Sequence, residues 1–259
     1  MEKQRVWSSC HNDKVSLPCY SPHNYQPYTY FTVYMRDVGA LAIEYKQPDL
    51  CELVRRFLYD QAHASDPAPD PGDDDAPVDS SSVDLSECPQ LHGKIAVHRV
   101  AHATFYAPTE LSGTSGMHRE LIRANPSWRG HPRFDTVLIN TDAEEIGMRG
   151  MAVGRVMGLM AIPHDGARYP CALIDWFEKL SDVPSDVTGM YEIQPELNEF
   201  GRQVSSIVHL DTIFRAVNLS PVFCGVVMPI DFHYSYSLDT FETFYINKYG
   251  DYHSHHCIY

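Results

Sequence analysis

The chain of 259 residues has no run of 18 apolar residues, so no membrane-spanning helix is expected. Cysteine occurs seven times, at positions 10, 19, 51, 88, 171, 224 and 257, but never as CxxC. An odd number without that spacing argues against a disulfide framework and against a four-cysteine zinc site. The N-terminal MEKQRVWSSCHND lacks the apolar stretch of a secretory signal. These absences predict an intracellular, non-secreted protein, with the nucleus open to it. Catalytic signatures are missing too. There is no GxSxG, no phosphate-binding GxxxxGKS, no HExxH and no GxGxxG after a strand. GTSG at 113–116 lacks the flanks of a nucleophile elbow. No cofactor and no small-molecule substrate is therefore evident.

Positive charge is scarce as well, and unevenly so. Lys and Arg number 20 against 34 Asp and Glu, a net charge of −14. Residues 65–88 hold eight acidic groups and no basic one. Residues 169–259 hold twelve acidic and four basic groups, whereas 1–64 balance at seven each and 89–168 carry nine basic and seven acidic. The global field repels phosphate, so any nucleic-acid surface has to be local.

What is present is dense β patterning. FDTVLINT (134–141), AVGRVMGLMAIP (152–163), YPCALIDWFE (169–178), GMYEIQP (189–195) and QVSSIVHL (203–210) read as strands separated by Gly, Pro or Asp. A helical turn is expected at DTIFRAV (211–217), then a strand at LSPVF (219–223). LHGKIAVHRVAHATFYAP (91–108) reads as one or two strands, and FTVYMRDVGALAIEY (31–45) as a strand or short helix. Leu50, Leu53, Val54, Phe57 and Leu58 fall on one face of a helix. The fold class is mainly β with short helices (α+β), a small antiparallel barrel-like domain preceded by a helical segment. Three parts are expected: 1–64 with one amphipathic helix, 65–89 as an acidic Asp/Pro/Ser-rich disordered linker, and 90–259 as the β-rich domain.

Candidate functional residues are few. MHRELIRANPSWRGHPR (117–133) is the most basic stretch, with Arg119, Arg123, Arg129 and Arg133 against Glu120 alone. Trp128 lies among them, and Arg beside an aromatic suits a phosphate backbone and a stackable base. The plain alternative is a basic surface loop. Four C-terminal residues, His253, His255, His256 and Cys257, are competent metal ligands, but no second ligand pair complements them and no metal is expected. Asp135 and Asp142 bracket a strand, as carboxylates that hold Mg²⁺ do, and equally as ordinary turn residues do. Asp175 is expected to alternate outward while Trp176 packs inward.

Four stretches carry a family resemblance. They are YMRDVGALAIEYKQPDLCELVRRFLYDQ (34–61), HPRFDTVLINT (131–141), VGRVMGLMAIPHDGARYPCALIDWFE (153–178) and IVHLDTIFRAVNLSPVF (207–223), followed by TFYINKYGD (243–251). In this order they resemble the C-terminal, non-catalytic part of fungal Plavaka and KDZ transposases. The resemblance implies a transposon-derived module without the catalytic core, and hence no enzymatic activity. The strand order, one helical turn and L-x-P-V-F are also similar to chromatin-reading bromo-adjacent-homology barrels. The function expected is a non-enzymatic interaction module for a chromatin-associated protein or nucleic acid. The alternatives are a remnant of a metal-dependent transposase or nuclease using Asp135 and Asp142, and an inactive fragment.

Overall fold

In the computed structural model the described residues are 34–63, 80–107, 116–223, 225, 228 and 230–259. Two long strands, β7 (Met151–His164) and β8 (Ala167–Lys179), form its axis. They pair antiparallel from Val153↔Phe177 to His164↔Ala167. The two-residue loop between them is Asp165-Gly166, with φ of 47° and 77°. Both values are positive, as the hairpin turn that matches strand twist requires, and Asp-Gly is the residue pair that tolerates it. Near-continuous burial along both strands follows from cover on both faces.

Each long strand is shared by two neighbours. β7 pairs with β6 (Thr136–Asn140) over its first half and with β2 (Ile95–His98) over its second. β8 pairs first with β10 (Ser205–His209) and then with β9 (Glu192–Pro195). The register slips between Val156 and Gly158, leaving Met157 as an extra residue on β7. A bulge increases local twist, and the sheet curls into an antiparallel half-barrel. Its ends are β1 (Tyr34–Arg36), on β2, and β12 (Leu219–Pro221), on β13 (Phe244–Ile246). The barrel-like architecture expected from the strand pattern is thus present in open form.

The helical turn expected over 211–217 is shorter. A 3-10 turn covers Leu210–Thr212, and Ile213–Ala216 is strand β11, because its main chain pairs with β6. Residues 91–108 split into β2 and β3 (Val100–Tyr106). β3 leaves the large sheet for a three-stranded one with β4 (Met117–Trp128) and β5 (His131–Phe134). The basic stretch is therefore a β-hairpin, not an irregular loop.

Two apolar cores lie against the half-barrel. In one, Ala101, Phe105 and Ile122 of the small sheet pack on Leu138, Ile174, Trp176 and Phe214. Trp176 is buried as expected, and its indole N–H donates to Ser206 Oγ at 2.8 Å. In the other, helices α1 (Val38–Glu44) and α2 (Leu50–His63) place Leu41, Leu50, Val54, Phe57 and Leu58 against Ile95, Met160, Leu173 and Ile207. Asp37 caps α1 by accepting from the Gly39 N–H at 2.9 Å. From α2, Arg55 donates to the carbonyls of Leu85, Cys88 and Pro89, and Arg56 to those of Ser80 and Val83. Of the stretch 65–89, residues 80–89 thus lie along α2, and 65–79 fall outside the described residues. Among the described residues no helix is long and apolar enough to cross a membrane.

Candidate nucleic-acid interface

The outer face of the small sheet is set by strand alternation. Along β4, Ile122 and Ala124 are buried while Arg119 is exposed and Arg123 half-buried. β5 follows through the two-residue turn Arg129-Gly130, with φ of 52° and 90°. Simple alternation from Arg123 would turn Trp128 inward. An extra residue between Asn125 and Trp128 prevents this: Asn125 pairs with Arg133 and Trp128 with His131, three steps against two. The Ser127 N–H donates to Asn125 Oδ1 at 3.0 Å, which shapes this bulge. Pro126 fits there because a bulge residue has no ladder bond to give. Trp128 consequently shares a face with Arg123.

The guanidinium carbon of Arg123 stands 5.0 Å from the Trp128 ring centre, and that of Arg129 5.7 Å. Both are cation–π distances. Arg133 pairs with Asp135 at 2.8 Å, and Arg123 lies 3.8 Å from the same carboxylate. Arg119 donates from Nε to His102 Nδ1 of β3 at 3.0 Å. The five residues singled out in the sequence, Arg119, Arg123, Trp128, Arg129 and Arg133, therefore lie on one hairpin.

The one acid of the stretch is on the other side. Glu120 faces inward, accepts from the Ala216 N–H and lies 3.6 Å from Arg215. It does not screen the outer arginines. The titrating groups there register the accumulated charge. Burial, and then Arg119 and Arg123, hold His102 below its ordinary value. Burial, and then Arg133, lower Arg123, which Asp135 only partly opposes. An incoming phosphate relieves the like-charge part of that cost.

The other sequence candidates are placed as follows. His253 is on α4 (Tyr252–Cys257) and is buried. Arg215 donates to its Nδ1 at 3.0 Å, so its proton is on Nε2, 3.5 Å from Cys257 Sγ. Arg215 also grips Asp251 in bidentate fashion at 3.0 and 2.6 Å and lies over Phe105 at 4.8 Å. His255 and His256 point to solvent, so the four tail residues do not converge. Asp135 and Asp142 do not converge either. The first binds the arginines, and the second accepts from the Glu144 N–H at the far end of β6. They lie beyond opposite ends of the five-residue strand β6, roughly 15–20 Å apart. Among the described residues no group of three or more His, Cys, Asp or Glu is placed to hold a metal ion.

Asp175 alternates away from Trp176 and lines a half-open cleft of about 440 Å³ between the α1–α2 connection and the β9–β10 connection. Burial raises its carboxyl above the ordinary range, while the Ser205 hydroxyl, donating at 2.6 Å, offsets part of this. Tyr45, Lys46, Asp49, Met157 and Leu173 share the cleft, and the hydroxyl beside Asp175 is that of Ser205.

Sequence reasoning did not find the histidine and tyrosine rings that adjoin this hairpin from residues 233–236. No local signal links them to it, because they lie about a hundred positions further along the chain. No family model, curated protein or solved structure matches the chain.

Proposed function

We propose that the protein is a non-enzymatic interaction module that binds nucleic acid through the outer face of the β3–β4–β5 sheet. The observation that carries this reading is the inward turn of Glu120. It leaves four arginines and Trp128 on one hairpin with Asp135 as their nearest counter-charge. Arginine beside an aromatic ring offers phosphate contact and a stacking surface together. Phosphate contacts position without specifying sequence, so recognition here is largely blind to base order. The transposon-derived origin and the bromo-adjacent-homology likeness belong to the same proposal and rest on the quoted sequence stretches. An enzymatic remnant built on Asp135 and Asp142 finds no support in their separation.

The test is a fluorescence anisotropy titration at several salt concentrations. Four arginines less one carboxylate leave about three effective charges. The log–log salt slope is then about −3 on duplex and about −2 on a single strand. Arg119 and Arg129 are exposed, so changing both to Ala leaves the fold intact. That double variant lowers the magnitude of the duplex slope by about 2. Absence of salt-dependent binding at low salt overturns the proposal and makes a chromatin-associated protein the partner to seek.

A further inference from the structure

We propose that the ligand of this face is a single strand whose bases stack on a column of rings formed by His131, His233 and Tyr234. The inference deepens the nucleic-acid reading above and rests on it. Phosphate contacts alone do not distinguish duplex from single strand. A ring platform does, because duplex bases have their faces closed by their neighbours, and unpaired bases do not.

The column begins at the arginines. His131 is the cross-strand partner of Trp128. Its ring stacks on His233 with centroids 3.8 Å apart and planes 16° from parallel. His233 continues to Tyr234 at 4.3 Å and 34°. Tyr236 meets both histidines edge-on, at 6.5 and 6.4 Å. The far end is open, since Tyr234 is 77% exposed. A single exposed tyrosine needs no explanation. A tyrosine that terminates a stack rooted beside four arginines offers the next position to a base.

The platform is also held in place before any ligand arrives. His233 caps the 3-10 turn Tyr234–Tyr236 by accepting from the Ser235 N–H at 3.3 Å. Phe232 lies edge-on to the buried Phe241, with centroids 6.1 Å apart. Rings fixed in this way lose little conformational freedom on binding. A strand that lays its phosphates along Arg119, Arg123, Arg129 and Arg133 can carry its bases past His131 and onto Tyr234.

The experiment uses the full chain and three probes: an oligothymidine of about 15 nucleotides, an abasic strand of equal length, and a duplex of the same length. The oligothymidine is expected to bind at least fivefold more tightly than the abasic strand. Tyr234→Ala lowers affinity for oligothymidine by about fivefold or more, the size of one base–aromatic stack. It leaves the salt slope and the duplex affinity unchanged, and Tyr234→Phe binds as the unaltered chain does. The thermal midpoint of each variant confirms folding. Equal binding of oligothymidine and abasic strand, or a Tyr234→Ala chain that binds as before, overturns the stacking inference while arginine-dependent binding stands. If none of the three probes binds at low salt, the nucleic-acid reading falls, and this inference with it.

Discussion

Arg215 is the residue on which the inner face of the basic hairpin turns. It is 5% exposed and meets Asp251, His253, Glu120 and Phe105 at once. The surrounding groups titrate in different directions. Burial, reinforced by Arg215, lowers His253 from 6.5 to about 4. A group with a depressed native value binds more protons when unfolded, so stability falls as pH drops through the window between the two values. Burial alone would raise Asp251, but hydrogen bonds from Arg215 and from the Ser254 N–H outweigh it. Its contribution is lost only below the ordinary aspartate range. Glu120 is raised by burial in spite of Arg215, so its contribution has the opposite sign and is kept at low pH. The thermal midpoint should therefore fall as pH is lowered from 6.5 towards 4. His253→Gln, which does not titrate, should flatten that slope. An unchanged slope in the variant would mean that His253 is already charged or open to water.

At the scale of elements, the two hairpin turns do the same work in different places. Asp165-Gly166 sets the register of the long hairpin, and Arg129-Gly130 that of the basic one. Gly130→Val puts a branched side chain at φ of 90°. It should cost about 1–2 kcal/mol in chemical denaturation and weaken oligonucleotide binding by shifting Trp128. A variant with wild-type midpoint and affinity would show that the turn does not position the tryptophan. The long hairpin is legible in the sequence because its apolar runs flank an Asp-Gly pair. β4 is not, because its outward arginines and the Asn125-Pro126 bulge break the alternation. The stretch 211–217 misleads for another reason. Asp211 and Thr212 resemble a helix start, but pairing with β6 draws the following residues into a strand. Likewise the five hairpin residues are legible as a basic cluster. The inward turn of Glu120 is not, since its partner Arg215 comes from a distant strand.

For the molecule as a whole, the helices and the sheet share one core although an acidic stretch separates them in sequence. Leu41, Leu50, Val54, Phe57 and Leu58 bury against strands β2, β7, β8 and β10, and β1 extends the sheet edge. A chain cut once within 66–79 at an engineered protease site should therefore elute as a single species of uncut size. Separation into two fragments would show that the helices are held by the covalent link alone. The same stretch bears on binding. Residues 66–79 carry six aspartates, and neutralising them takes the net charge from −14 to −8. This weakens the long-range repulsion of phosphate without touching the hairpin.

The clasp of Arg55 and Arg56 on the carbonyls of 80–89 has one more consequence. It brings the chain back beside the helix from which it departed, so both ends of the intervening stretch are anchored at one place. Closing a loop depends only logarithmically on its length, and doubling it costs about 0.6 kcal/mol. A flexible insert placed between His63 and Ser80 therefore adds little to the cost of bringing these two ends together. That makes this junction a port for grafting a tag, a reporter or a second domain without disturbing the half-barrel.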